Sequence, residues 1–115
     1  MNFDEYQKWT RTTAIYRNPV YPQLALAEEV GELLGKLAKY ERDVAYDSTL
    51  SDDERTAKYA QLMADLRKEA GDVLWQLARV LDDMGVTLDS AAQGNVDKLE
   101  SRKQRNVISG SGDNR

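Results

Sequence analysis

The segment LALAEEVGELLGKLAK, residues 24–39, decides the fold class of this chain. Its apolar residues recur three and four positions apart, which is the spacing of one face of an α-helix. The pattern predicts a helix from Pro22 or Gln23 to about Asp43. The apolar stripe of this helix consists of Leu26, Val30, Leu33, Leu34, Leu37 and Tyr40.

Three further helices are predicted around this one, and no segment shows the alternation of a β-strand. Capping-box pairs mark two helix starts, Asn2 with Glu5 and Ser51 with Glu54. The predicted helices run from Asn2 to about Tyr16, from Ser51 to about Met84, where Gly85 is the stop, and from Thr87 to about Gln104. We therefore expect an all-α chain that forms an oligomeric four-helix bundle, with a helical domain over 1–106 and a Gly/Ser-rich tail over 107–115.

The composition bounds the class of protein. With 115 residues, 41% hydrophobic and 31% charged, the chain suits one well-solvated domain. The net charge of −4 argues against nucleic acid and anionic membranes as partners. No apolar run approaches the roughly 20 residues of a membrane span, and the N-terminus lacks the features of a signal peptide, so we expect a cytoplasmic protein.

Cysteine and histidine are both absent from the sequence. Disulfides, thiolate nucleophiles and Ser-His-Asp triads are therefore excluded. Any metal site must use oxygen ligands, which favour Mg²⁺, Mn²⁺ or Ca²⁺. A di-iron centre in a helical bundle is disfavoured, since it uses Glu-x-x-His motifs.

Acidic residues cluster on the second and third helices. Glu29 and Glu32 lie beside the apolar stripe of the second helix, while Glu28 points nearly the opposite way. Glu69 and Asp72 repeat the three-residue spacing on the third helix. If the two helices are antiparallel neighbours, the two pairs converge, and a divalent cation would relieve their repulsion. The alternative is a solvated acidic face without a metal.

The third helix is apolar on two sides. Its core stripe is Leu66, Ala70, Val73, Leu77, Val80 and Met84. Trp75 points nearly opposite this stripe on the helical wheel. A subunit interface at Trp75 is the favoured interpretation, and packing of Trp75 over a neighbouring helix of the same chain is the alternative. We expect a homodimer or a homotetramer.

Cations and aromatic residues supply candidate ligands for an anionic, aromatic substrate. The fourth helix carries Asn95, Lys98, Arg102 and Arg105 on one face, and Lys36 lies between Glu29 and Glu32 in angle. These residues are candidates for binding phosphate, although the cations also complement the helix dipole or pair with nearby acids. On the first helix, the candidates for contact with a base are Trp9, Thr13 and Tyr16; packing in the core is the alternative.

The motifs EEVGE (28–32) and EAGD (69–72) match the EExxE…ExxD signature of the MazG-like all-α NTP pyrophosphohydrolases. Three longer blocks are similar to the short, single-domain bacterial and phage members: YPQLALAEEVGELLGKLAK (21–39), KEAGDVLWQLARVLDDMGVTLD (68–89) and NVDKLESRKQRNVISGSGDNR (95–115). The resemblance covers nearly the whole chain. It departs from the family in the longer segment between Glu32 and Glu69, which we place in a loop at 43–51 or in longer helix ends.

The resemblance implies hydrolysis of a nucleoside triphosphate between the α and β phosphates, giving the monophosphate and pyrophosphate, in a bacterium or a phage-infected host. It implies Mg²⁺, or Mn²⁺ in its place, bound by Glu29, Glu32, Glu69 and Asp72. Catalysis is assigned to Glu29 and Glu32, with Glu28 recruited by a second metal or by the attacking water. Asn95 and Lys98 match the NxxKL motif of the family. Purine dNTPs such as dGTP and non-standard nucleotides are candidate substrates; the alternative function is an inactive helical interaction module.

Overall fold

The computed structural model describes residues 1–115 and contains helices without any strand. The helices are α1 (Phe3–Thr10), α2 (Val20–Asp43), α3 (Asp52–Asp83) and α4 (Leu88–Gln104), with a 3₁₀ turn over Arg11–Thr13. The predicted all-α class is confirmed. No helix combines the length and the apolar character that crossing a lipid bilayer requires.

Helices α2 and α3 form an antiparallel hairpin, joined by the predicted loop over 44–51. The capping box predicted at the start of α3 is present. The side chains of Ser51 and Glu54 each accept a hydrogen bond from the other residue's backbone N–H. Along the hairpin, Tyr40 packs edge-on against Tyr59, with ring centroids 6.4 Å apart. This contact is one of many between α2 and α3, whose packing brings the acidic segments of the two helices face to face.

Helix α1 ends at Thr10, earlier than the predicted end near Tyr16. The hydroxyl groups of Thr10, Thr12 and Thr13 each donate to the carbonyl oxygen three residues earlier, at distances of 2.7 to 3.1 Å. Such side-chain bonds compete with the helical ladder. The threonine cluster therefore converts the end of the helix into a 3₁₀ turn.

Gln7 anchors α1 to the turn between α3 and α4. Its buried side-chain amide donates to the carbonyl oxygen of Val86 at 2.9 Å and accepts from the backbone N–H of Leu88 at 2.9 Å. Gly85 adopts a left-handed φ of 74° in this turn, as its predicted role as helix stop requires. Helix α4 is thereby held against α1 rather than against the α2–α3 hairpin.

The four helices do not close a bundle around one core within the chain, which corrects the predicted packing. The radius of gyration is 18.5 Å, compared with roughly 13 Å for a compact chain of this length. The accessible surface is 8382 Å², compared with roughly 6,300 Å² for a compact monomer of this mass. At about 1.5 Å per residue, α3 is about 48 Å long, and α2 covers only part of it.

The predicted apolar stripe of α2 is divided between two environments. Leu26, Leu33 and Tyr40 are partly covered. Val30, Leu34 and Leu37, which are spaced four and three residues apart, are exposed. The stripe is therefore only partly buried in a single chain, because no helix of the chain covers the side of α2 that carries Val30, Leu34 and Leu37.

Trp75 packs against residues of its own chain, as the alternative interpretation predicts, and remains partly exposed. Its indole N–H donates to the hydroxyl of Thr13 at 2.8 Å, and its ring meets Tyr16 edge-on, with centroids 6.4 Å apart. The indole thus covers the 3₁₀ turn and the segment that follows it. The second apolar side of α3 is explained by this contact.

Candidate functional site

Three acidic side chains converge where α2 faces α3. Carboxylate oxygens of Glu29, Glu32 and Glu69 all lie within 4.8 Å of one another, and we call these three residues the acidic cluster. Glu29 and Glu32 lie almost one turn apart on α2, and Glu69 reaches them across the hairpin. The predicted convergence of acids from the two helices is therefore present for three of the four positions.

Glu69 is the most buried member of this acidic cluster, with a side chain only 8% exposed. Its ion-pair partner is Lys36, whose ammonium nitrogen lies 3.6 Å from Oε1 of Glu69. Burying a carboxylate without a cation is costly, so Lys36 compensates part of the charge. One ammonium group at that distance leaves three close carboxylates with a net negative charge.

The surroundings raise the pKa of the Glu29 carboxyl above its ordinary value. Desolvation is the largest cause, and the charge of Asp72 is the next, followed by the charges of Glu32, Glu28 and Glu69. Asp72 is exposed and lies outside the group of mutually close oxygens, yet its charge acts on Glu29. Asp72 thus borders the acidic cluster and extends it along α3.

Glu28 lies on the outer side of α2, away from Glu69. It lines a polar groove of about 500 Å³ together with Gly31, Glu32, Gly35, Lys36 and Lys39. Glu32 and Lys36 border both this groove and the acidic cluster. A ligand in the groove would therefore contact two residues of the cluster.

The acidic cluster suits a hard divalent cation. Its donors are all carboxylate oxygens, the ligand type that Mg²⁺ and Mn²⁺ prefer. Oxygens on opposite sides of Mg²⁺ lie about 4.2 Å apart, so small side-chain rotations would let the three residues share one ion. Desolvation, and after it the charges of the neighbouring acids, raise the pKa of Glu29, and a cation bound at the cluster would oppose both effects.

An aromatic cavity of about 590 Å³ lies at the start of α2, beyond the acidic cluster. Tyr16, Tyr21 and Trp75 give it apolar walls, and Thr13, Ile15, Arg17 and Asn18 complete the lining. Tyr16 and Tyr21 are stacked with centroids 6.0 Å apart. At about 1.5 Å per residue, Tyr21 lies roughly 12 Å along α2 from Glu29, which is a distance that a nucleotide can span.

The structure separates the three predicted base-contact residues. Thr13 and Tyr16 line the aromatic cavity, whereas Trp9 stacks on Tyr6 outside it, with centroids 6.1 Å apart. The hydroxyl of Thr13 accepts from Trp75 and donates to the carbonyl oxygen of Thr10, so it orients the indole.

Sequence reasoning overlooked Tyr21, Asn18 and Trp75 as cavity residues. A usable signal was present for Trp75, which lies one turn after Asp72 on α3. Gln76 was also overlooked: its buried side-chain oxygen has no hydrogen-bond partner, and it lies on the face of α3 that carries Glu69.

The predicted phosphate ligands fall into two groups. Lys36 belongs to the acidic cluster, as described. Lys98 and Arg102 pair with Asp113 of the C-terminal tail, and Arg105 bonds Ser101 and the main-chain oxygen of Arg115. Asn95 is exposed on the same helix. None of the α4 residues forms an ion pair or a hydrogen bond with the acidic cluster.

Comparison with known proteins gives two matches. The chain is similar to the Gene 37 protein of Mycobacterium phage L5, with 36% identity over 124 aligned residues that cover both chains completely. No solved structure matches it. The model of the MazG nucleotide pyrophosphohydrolase domain matches residues 22–107, a range that contains the acidic cluster, Asp72 and the α4 cations. Since this match spans most of the chain, the protein belongs to the MazG nucleotide pyrophosphohydrolase family.

Proposed function

We propose that this protein hydrolyses nucleoside triphosphates between the α and β phosphates, with Mg²⁺ or Mn²⁺ as the cofactor. The observation that carries the proposal is the convergence of Glu29, Glu32 and Glu69 within 4.8 Å in a site built from carboxylates. These three residues, with Asp72, are the proposed metal ligands. The ion would supply positive charge against the polyphosphate and Lewis acidity at the bond that breaks.

Glu29 is the proposed general base. A carboxylate beside a metal ion can accept the proton of an attacking water. A carboxylate oxygen of Glu29 would take the proton of the attacking water, while Glu32 and Glu69 hold their positions from opposite helices. Glu28, on the outer side of α2, is proposed to bind a second metal ion or to orient the attacking water.

Lys36 is the proposed phosphate ligand nearest to the acidic cluster. Its ammonium group lies 3.6 Å from Glu69 and its side chain is 36% exposed, so it can turn toward a ligand in the polar groove. The other proposed phosphate ligands, Asn95, Lys98, Arg102 and Arg105, lie on α4, which packs against α1. We propose that they meet the polyphosphate when chains associate.

The aromatic cavity is the proposed base site. Tyr16, Tyr21 and Trp75 offer flat apolar walls, and stacking on aromatic side chains tolerates different bases. Arg17 and the side-chain NH₂ of Asn18 are donors at the cavity rim. Arg17 forms no ion pair, and the oxygen of Asn18 accepts from the N–H of Val20. Two such donors favour a base that presents adjacent acceptors, as guanine does, which supports dGTP among the candidate substrates.

The open shape of the chain supports an oligomer. The surface in excess of a compact monomer is roughly 2,000 Å², which lies in the range that obligate interfaces bury. Val30, Leu34 and Leu37 form an exposed apolar row on α2. We propose that this row packs against a second copy in a homodimer or a homotetramer.

Glu32→Gln is expected to lower the turnover of nucleoside triphosphates by about 100-fold or more, because it removes a charged ligand of the proposed metal site. A panel of canonical and modified (d)NTPs with Mg²⁺ or Mn²⁺ measures this, provided that pyrophosphate and phosphate are detected separately. The matched control is Glu41→Gln, an exposed acid on the same helix. Unchanged turnover in Glu32→Gln, or phosphate as the first product, would contradict the assignment.

Glu29→Gln is expected to raise the melting temperature of the metal-free protein at neutral pH. The folded-state pKa of Glu29 is raised, so its contribution to stability is present below the ordinary glutamate pKa and is lost as the pH rises through the folded-state value. Removing the charge should therefore help at neutral pH and have little effect at about pH 4. Thermal unfolding in EDTA measures the gain, and Glu41→Gln should show none.

Tyr21→Leu is expected to raise the KM for the preferred nucleotide about tenfold while kcat changes little, because stacking acts on the ground state and the transition state alike. Steady-state kinetics measures both constants. Tyr46→Leu is the matched control, since Tyr46 is 81% exposed in the 44–51 loop. A KM equal to that of the control would remove the cavity from base binding.

Light scattering of the purified chain should give a dimer or a tetramer of the 13.0 kDa subunit. Leu34→Glu places a charge in the exposed apolar row, so it is expected to lower the mass, whereas Tyr46→Glu should not. A wild-type chain that elutes as a monomer at all concentrations would argue against the proposed assembly.

A further inference from the structure

The C-terminal tail, residues 107–115, folds back onto the cationic face of α4. Nη2 of Arg102 donates to the carbonyl oxygens of Gly112 and Asp113, at 3.3 and 3.1 Å, and lies 3.3 Å from Oδ1 of Asp113. The ammonium group of Lys98 lies 3.6 Å from the same Oδ1. The two cations thus share one carboxylate supplied by the chain itself.

The backbone of the tail is shaped for this return. Gly110 and Gly112 have φ values of 130° and 84°, which residues other than glycine rarely adopt. The side chain of Arg115 donates to the carbonyl oxygens of Val107, Ile108 and Gly112 and closes the tail into a loop. Asp113 is therefore presented to Arg102 by a defined turn.

Arg102 is only partly satisfied by this contact. Its side chain is 6% exposed, but Nε is buried and has no hydrogen-bond partner. Nε and Nη2 form the edge of a guanidinium that binds oxyanions through two parallel hydrogen bonds. Asp113 engages only the Nη2 end of that edge, and its own side chain is 85% exposed.

We propose that the tail is an internal competitor for polyphosphate at Arg102 and Lys98. Asp113 holds the place of a phosphate group, and a polyphosphate displaces it and releases the tail. The inference rests on the proposed function of α4 in binding phosphate, and it adds a regulating segment that the substrate must displace.

Phosphate is expected to bind Arg102 and Lys98 more strongly than Asp113 does, for two reasons. It presents several oxygens, so it can accept from Nε and Nη2 together and satisfy the orphan donor. Pyrophosphate also carries more charge than one carboxylate, which strengthens its attraction to Lys98 and Arg102. The connection of the tail to α4 gives Asp113 a high local concentration, and this keeps the contact closed without ligand.

The test is a titration of the full chain with sodium pyrophosphate in EDTA, where the acidic cluster, deprived of metal, repels the probe. Asp113→Asn is expected to bind pyrophosphate about fivefold more tightly than the wild type, because an exposed charge pair is worth about that factor. Asp97→Asn is the matched control, since it removes the same charge from an exposed position of α4. The ¹H–¹⁵N NMR signals of residues 107–115 should move toward random-coil values when pyrophosphate binds the wild type.

Equal affinities in Asp113→Asn and Asp97→Asn would overturn the inference, as would unchanged NMR signals of the tail at saturating pyrophosphate. The titration does not depend on hydrolysis. A chain that binds pyrophosphate, releases its tail and hydrolyses no nucleotide would overturn the proposed function and support the inference. An active enzyme whose tail signals do not respond to pyrophosphate would support the proposed function and overturn the inference.

Discussion

The convergence of acidic side chains between α2 and α3 is the constraint on which the site depends. Glu29, Glu32 and Glu69 come within 4.8 Å of one another because the hairpin register places Glu69 opposite the two α2 acids. This arrangement disfavours folding when all three residues are ionised, since desolvation and mutual repulsion raise the pKa of Glu29. The packing of the hairpin, including the contact of Tyr40 with Tyr59, must offset that repulsion. The same repulsion gives the cluster its capacity to attract a cation.

The apolar residues of the chain are distributed over two kinds of surface. Gln7 attaches α1 to the turn after α3, and Trp75 of α3 bonds Thr13 in the 3₁₀ turn, both through hydrogen bonds inside the chain. The row of Val30, Leu34 and Leu37 has no such partner and faces solvent. Intrachain contacts therefore position the aromatic cavity, whereas the side of α2 that carries the apolar row is available for the proposed association.

Much of the fold follows from local signals in the sequence. The capping boxes at Asn2 and Ser51 begin helices as predicted, because each satisfies orphan N–H groups within four residues. Helical periodicity also placed Glu29, Glu32 and Glu69 on facing sides. The early end of α1 and the contact of Trp75 with Thr13 were not predicted. Hydrogen bonds of threonine hydroxyls and contacts between distant residues do not alter the periodicity of apolar residues, from which the helices were predicted. The packing of α4 was missed for the same reason, since a single residue, Gln7, directs it.

Apart from Lys36, which pairs with Glu69, the cations proposed to bind phosphate lie away from the acidic cluster. The carboxylates gather on α2 and α3, while Lys98, Arg102 and Arg105 gather on α4 and bond to the tail instead of the acids. Had these cations paired with the acidic cluster, neither group would be available to a ligand. A nucleotide with its metal ion carries both a cation for the carboxylates and phosphates for the basic residues. Under the proposed function, separation of the two groups would let a metal–nucleotide complex neutralise both of them.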